Sequence, residues 1–358
     1  MTAWGLRDVI VKNVHRVCGV LCNGSGGAVI TDRAYDIVTD DIFLRLSDLV
    51  IDSEIFLKIE GLNPAGSVKL KTAVALIEDA ERRGVLSDGG RVVESSSGNL
   101  GIALSMVCSI KGYSFTCVTD PNASARSVAT MRALGAEVVV VANRDSNGGF
   151  LGSRIAHLKA MLALDHELVW PNQYANAANP RAHWERTAAS ILRSIEAIDY
   201  LFVGAGTTGT LMGCAAYFRQ FSPKTRIIAV DTRGSVTFGY PAGPRHIPGL
   251  GTSRTPELLR MDNLDEVLLV DEAEAVWTCR LLARRHGLLV GGSTGSVLAA
   301  VRGYGGHLAP GSRVVAIAPD LGERYLDTIY NDDWVTARFG RDVLTRRDMV
   351  SAPLAAGS

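Results

Sequence analysis

The stretch YLFVGAGTTGTLMGCAAYF, residues 200–218, runs from an apolar segment through a glycine- and threonine-rich loop into a helical pattern. Tyr200–Val203 shows no polar alternation, as expected of a strand buried on both faces. The loop that follows gathers backbone N–H groups and threonine hydroxyls at a helix start, which suits a phosphate. It also reads G-x-G-x-x-G. Asp231, closing RIIAVD at 226–231, falls where a dinucleotide fold places its ribose-binding acid. An NAD(P)-dependent oxidoreductase is therefore one reading of this region.

The same strand–loop–helix unit recurs along the chain. Strands are expected at Glu54–Lys58, Arg91–Glu94, Ser114–Thr119, Glu137–Val141, Tyr200–Val203, Arg226–Val230, Glu266–Val270 and Arg313–Ala318. Amphipathic segments lie between them. One carries Val74, Leu76 and Ile77 ahead of the charged stretch Glu78–Arg83. Another carries Met131 and Leu134 ahead of Gly135, a candidate helix C-cap. Short apolar runs alternating with helices give an α/β fold with mainly parallel sheets. In such folds ligands sit beyond the carboxyl ends of the strands.

Composition narrows the function classes. The chain has 358 residues, with 37 Lys+Arg against 37 Asp+Glu and a formal net charge of zero. A nucleic-acid or anionic-membrane binder would carry a basic excess, so small-molecule substrates are expected, with no nucleic-acid or membrane partner. The six cysteines (Cys18, Cys22, Cys108, Cys117, Cys214, Cys279) are scattered. Only Cys18 and Cys22 are close, and no second pair completes a metal site, so buried free thiols and no metal are expected. Apolar runs fall short of the roughly 20 residues of a spanning helix. The stretch MTAWGLRDVIVKNVHR carries charges through its apolar part, unlike a secretory signal. A cytoplasmic location is the expectation.

Three further loops carry chemistry. Gly61–Lys69 (GLNPAGSVK) follows a strand and opens a helix, with Ser67 as N-cap and Lys69 in the first turn. The helix dipole disfavours a cation there and lowers the amine pKa, which helps it attack an aldehyde. Taken alone, Lys69 reads more readily as a solvated surface lysine than as a nucleophile; Lys71 points to another face. Glu94–Gly101 (ESSSGNLG) gathers hydroxyls, an Asn side chain and backbone N–H groups at a helix start. It is a carboxylate or phosphate cradle, or simply a well-furnished N-cap. Gly291–Ser296 (GGSTGS) reads on its own as a glycine turn with an N-cap.

In order, N-P-x-x-S-V-K, S-S-G-N-x-G, G-x-G-T-x-G-T and G-G-S-x-G resemble the cysteine synthase and cystathionine β-synthase family of pyridoxal 5′-phosphate (PLP) enzymes. The resemblance runs from about Asp36 to Trp334 and includes NQYANAANP (172–180), HIPGLG (246–251) and GERYLDT (322–328). It implies PLP fold type II, like the tryptophan synthase β chain: two open, mainly parallel sheets flanked by helices. A smaller domain would span 47–176, and a larger one 1–46 plus 177–358. A homodimer is the family expectation.

By this resemblance Lys69 is the catalytic residue that holds PLP through its amine and acts as general base. Asn99 meets the ring's 3′ oxygen, Gly206, Thr207, Thr208, Gly209 and Thr210 bind the phosphate, and Ser293 faces the pyridine nitrogen. Ser96, Ser97 and Gln173 bind the substrate carboxylate, while Tyr174 and Arg245 are candidates for the rest of the substrate pocket. The implied reaction is β-replacement through an α-aminoacrylate.

Within the family the chain looks closest to the diaminopropionate-forming branch, which contains N-(2-amino-2-carboxyethyl)-L-glutamate synthase and serves siderophore and peptide-antibiotic pathways. That branch implies O-phospho-L-serine and L-glutamate as substrates. A cysteine, sulfocysteine or cysteate synthase is the near alternative, and a non-catalytic PLP-fold partner a distant one. Three departures from the family pattern stand out. Leu100 replaces the usual Thr after the loop Asn, Asp40-Asp41-Ile42-Phe43 replaces N-T-P-L, and Leu70-Lys71 replaces an acid–Arg pair.

Overall fold

A computed structural model describes residues 30–145 and 148–346; Cys18 and Cys22 lie outside them. The strands are β1 (Phe43–Arg45), β2 (Ser53–Ile59), β3 (Arg91–Ser95), β4 (Ser114–Thr119), β5 (Glu137–Val140), β6 (Leu168–Val169), β7 (Tyr200–Gly204), β8 (Arg226–Thr232), β9 (Glu266–Val270) and β10 (Ser312–Ala318). They form a six-stranded sheet in the order β1-β2-β10-β7-β8-β9 and a four-stranded sheet in the order β5-β4-β3-β6. Every pairing is parallel except β1 with β2. All eight expected strands are present, and β1 and β6 are added. The expected domain split places residues 53–59 with the smaller unit; here they hydrogen-bond to β10 in the six-stranded sheet.

Alternation along the strands explains why both faces of each sheet are covered. Phe202, Ile228, Val230, Val314 and Ala316 face one cluster. Their neighbours Leu201, Val203, Ile227, Ala229, Val315 and Ile317 face another. A period of two sends successive side chains to opposite faces, and parallel strands sandwiched by helices need apolar residues on both. Helices α1 (Lys69–Arg82), α2 (Asn99–Lys111), α3 (Ala125–Ala133) and α4 (Leu151–Leu164) serve the small sheet. Val92 and Cys117 pack with α1 and α2, and Val93 and Val118 pack with Leu158 of α4.

The later chain adds α5 (Ala178–Ala182), which continues through a π-helical stretch, His183–Ala188, into α6 (Ala189–Ser194). Then come α7 (Gly209–Phe221), α8 (Glu272–His286), α9 (Gly292–Gly303), α10 (Asp332–Phe339) and α11 (Asp342–Thr345). Two expected caps differ in detail. Leu134 caps α3 and Gly135 follows it at φ +88°, a left-handed position that glycine adopts without steric cost. Ser67 lies one residue before the Val68 N-cap of α1, yet its hydroxyl accepts from Lys69 N–H at 3.4 Å. Among the described residues no helix is long and apolar enough to cross a membrane. Cys108, Cys117, Cys214 and Cys279 are buried free thiols, as expected.

Candidate active site

Four loops at the carboxyl ends of β2, β3, β7 and β10 supply the site. Lys69 is the first residue of α1, and the loop before it is tied to the end of β10 by Val68 N–H on Pro319 O at 2.7 Å. Among the described residues its amine has no hydrogen-bond or ion-pair partner. Burial brings that amine down to about 8, with the Asp320 carboxylate pulling the other way. Lys71, by contrast, is fully partnered: its Nζ is sealed inside, 2.6 Å from Glu60 Oε2 and 3.1 Å from Thr187 Oγ1, and paired with Asp40. Of the two lysines, only Lys69 has an amine not already engaged by a described residue.

Asn99 opens α2. Its Nδ2 donates to Asp320 Oδ2 at 2.7 Å, and its Oδ1 accepts from Arg324. This contact joins the carboxyl end of the small sheet to that of the large one. Ser96 Oγ accepts from the Gly98 and Gly101 N–H groups at 3.3 and 2.9 Å, so its acceptor side caps the helix and its own proton remains to donate. Ser97 is half-buried beside it. Gln173 is buried; its Nε2 donates to Ser95 O at 2.9 Å and its O accepts from Asn179 Nδ2 at 2.8 Å. Leu100 packs in the core of the small sheet, where a hydroxyl would find no water.

The loop between β7 and α7 is a cradle with room only for backbone. A Cβ on Gly206 would sit 2.7 Å from Gly249 O, and one on Gly209 would sit 2.1 Å from Asn179 Oδ1. Thr208 holds a left-handed φ of 66°, which costs a β-branched residue energy. Its Oγ1 is buried without a hydrogen-bond partner. Thr207 Oγ1 accepts from Asn179 Nδ2 at 3.3 Å. Thr210 Oγ1 lies 3.2 Å from His183 Nε2, which also meets Thr72 Oγ1 at 3.1 Å. Burial and the nearby lysines hold His183 well below the usual histidine range, so it is neutral. An orphan hydroxyl, a strained threonine and glycines at close approach, all at the N-terminus of a long helix, fit the phosphate of PLP. Lys69 fits its aldehyde.

Ser293, in the first turn of α9, is buried against Gly249 of the HIPGLG segment; a Cβ built there would lie 3.5 Å from its Oγ. Arg245 spends its guanidinium on Leu250 O at 3.3 Å and Ser253 Oγ at 3.1 Å, so it braces that turn. Tyr174 is buried against Leu151 and Ile155 of α4, with the Arg254 guanidinium 5.7 Å from its ring. Asp231 is fully buried and turned onto Thr232 N–H at 2.8 Å, which leaves it unable to reach a ribose and disfavours the nicotinamide reading.

Several site residues carry no local sequence signal. Asn179 and His183 support the phosphate loop from α5 and the π-helical turn. Arg154, on the same α4 face as Leu151, is 7% exposed, with Nε and Nη1 lacking hydrogen bonds. Its Nε lies 3.3 Å from Asp120 Oδ2, and its charge is felt at Tyr174 and at Cys117, which donates to Ser96 O.

Comparison with known proteins agrees with this geometry. The pattern of the family described as "Pyridoxal-phosphate dependent enzyme" matches residues 43–320. The chain is 43% identical over 284 residues (79% of this chain, 84% of the relative) to N-(2-amino-2-carboxyethyl)-L-glutamate synthase of Ralstonia nicotianae. Its fold superposes on the crystal structure of O-ureido-L-serine synthase with a TM-score of 0.78 at 32% identity, covering 86% of this chain and 99% of that one. It superposes on the O-acetylserine dependent cystathionine β-synthase of Helicobacter pylori with a TM-score of 0.79 at 29% identity, covering 85% and 100%. A lysine amine without a partner among the described residues, a strained threonine loop at a helix N-terminus and these matches agree: this chain belongs to the pyridoxal-phosphate dependent enzyme family, as a β-replacement enzyme of the cysteine synthase type that uses PLP.

Proposed function

We propose that the protein joins O-phospho-L-serine to the amino group of L-glutamate, giving N-(2-amino-2-carboxyethyl)-L-glutamate and phosphate, as a step in diaminopropionate supply for a siderophore or peptide natural product. The observation that carries the choice of leaving group is Arg154, a buried guanidinium that pairs at Nε with Asp120, keeps an Nη1 without a hydrogen bond, and places its charge near Tyr174 and Cys117. A phosphate ester is a dianion that needs charge-assisted donors; an acetyl ester does not. The names of the curated relatives support the same substrates. The reading has the chain acting as a homodimer in the cytoplasm.

In this reading Lys69, Asn99, residues 206–210 and Ser293 hold PLP, which supplies an aldehyde and a ring that accepts negative charge developing at the substrate Cα. Ser293 offers the ring nitrogen a neutral hydroxyl. Ser97, the Ser96 proton and the α2 N-terminus hold the substrate carboxylate. Lys69 Nζ, with its lowered proton affinity, takes the α-proton. Arg154 then receives the departing phosphate, and the glutamate nitrogen bonds to Cβ with loss of one proton. Closure of the smaller unit over the carboxylate would keep water from competing.

The test is phosphate release from O-phosphoserine with glutamate, sulfide, sulfite or no nucleophile, each product weighed by mass spectrometry. Glutamate-dependent release with a product of the adduct's mass is expected. Release that depends only on sulfide or sulfite would make the protein a sulfur-incorporating synthase.

A further inference from the structure

Asn99 has two N–H donors and one carbonyl oxygen to place. Arg324 can only donate, so the oxygen that accepts from it must be Asn99 Oδ1. Asp320 Oδ2 takes the Tyr325 hydroxyl at 2.5 Å and Asn99 Nδ2 at 2.7 Å, so it acts as an acceptor toward both. A flipped amide would set oxygen against oxygen and NH2 against guanidinium. The contacts therefore permit one orientation, with the Asn99 NH2 turned toward Asp320 and, more weakly, toward the Tyr325 oxygen.

The surroundings are shaped around this arrangement. A Cβ on Gly291 would stand 2.0 Å from Asp320 Oδ1, and one on Gly66 would stand 2.6 Å from Arg324 Nη2. Gly66 also sits at φ +65°, where a side chain is strained. Arg324 Nη2 donates to Ala65 O at 2.5 Å, so the same guanidinium holds the loop before Lys69. Asp320 is 2% exposed, and its Oδ1 has no hydrogen-bond partner, a cost that a purely structural carboxylate would avoid.

We propose that Asp320 and Arg324 are positioning residues that lock the Asn99 amide so that its NH2, and not its oxygen, is offered to the ring oxygen of PLP. The proposal rests on the reading of Asn99 as a cofactor ligand. Its effect is twofold: PLP is held more tightly, and its ring oxygen keeps the proton distribution that gives the yellow form.

The test is a double-mutant cycle. PLP affinity and the ratio of visible to near-ultraviolet absorption, without substrate, are measured for wild type, Asp320→Asn, Asn99→Ala and the double variant, with apo-protein melting as a folding control. Asp320→Asn can donate as well as accept, so it releases the flip. It is expected to weaken PLP binding about tenfold and lower the visible band, yet to change neither by more than about twofold in the Asn99→Ala background. Arg324→Lys, which has no fork to span Asn99 Oδ1 and Ala65 O, should behave alike and replaces Asp320→Asn should that variant not fold. Equal effects in both backgrounds, or an unchanged band ratio, would overturn the lock. If Asn99→Ala itself binds PLP normally, the assignment of Asn99 fails instead.

Discussion

Glu94 Oε2 accepts the backbone N–H of Gln173 at 3.0 Å, while its Oε1 accepts from Ser95 N–H at 2.8 Å and Trp170 Nε1 at 3.0 Å. One carboxyl at the end of β3 thus sets both the Ser96 loop and the segment carrying Gln173. It is wholly buried, so its charge state and the shape of the substrate site are linked.

Burial pushes the Glu94 carboxyl up to about 7, outweighing the N–H donors that favour its ionised form. Unfolded, it titrates near 4.3. Between those values the folded state binds the extra proton. Its contribution to stability is therefore full below about pH 4 and is lost as pH rises through about 7, by about 4 kcal/mol at most. Denaturant titrations across this interval should show that slope in wild type and a flatter one in Glu94→Gln. Identical slopes would mean that Glu94 does not titrate there.

Lys69 gives a second pH signature. Its amine is lowered by burial to about 8, and only the neutral amine attacks an aldehyde. PLP uptake by apo-protein, followed by the appearance of colour, should accelerate with pH and level off above about 8; an exposed lysine would still be rising toward about 10. Lys69→Ala should fold but bind no PLP that borohydride can fix. A midpoint near 10 would place the amine in solvent.

The parallel strands were legible because a strand buried on both faces is apolar throughout. β1 and β6 were not: Phe43–Arg45 and Leu168–Val169 are too short and half-covered to show a period. The four loops could be read because their residue types fall in an ordered series. What they hide is tertiary. Asn99 and Asp320 are 221 residues apart in sequence, and Arg154 sits in a helix where its spacing matches any surface arginine. Glu94 was visible as the end of a strand and the start of its loop, but not as a bridge, since Trp170 and Gln173 come from the loop after β6.

Two departures from the family pattern prove to be one feature. Lys71, standing where an acid–Arg pair is usual, pairs with Asp40, from the segment that replaces N-T-P-L, and with Glu60. Lys71→Met would strand buried carboxylates, which costs about 3–5 kcal/mol. Chemical denaturation should show a loss of that order, partly recovered in Lys71→Met/Glu60→Gln. A loss under about 1 kcal/mol would show that Lys58, 3.3 Å from Glu60, suffices alone.

Arg154 separates leaving-group recognition from packing. Were it only the partner of buried Asp120, Arg154→Met would lower stability and slow every substrate alike. As the phosphate's receiver it is selective, because removing one member of a desolvated charge pair costs about 2–5 kcal/mol only where the other charge is present. Arg154→Met should therefore lower kcat/KM for O-phosphoserine by a hundredfold or more, on the order of 3 kcal/mol, while O-acetylserine, with no dianion to seat, falls far less. Arg154→Lys should restore part of the difference, since a point charge returns without the planar fork. Parallel losses on the two esters would remove the argument for a phosphorylated substrate and return Arg154 to the role of Asp120's partner.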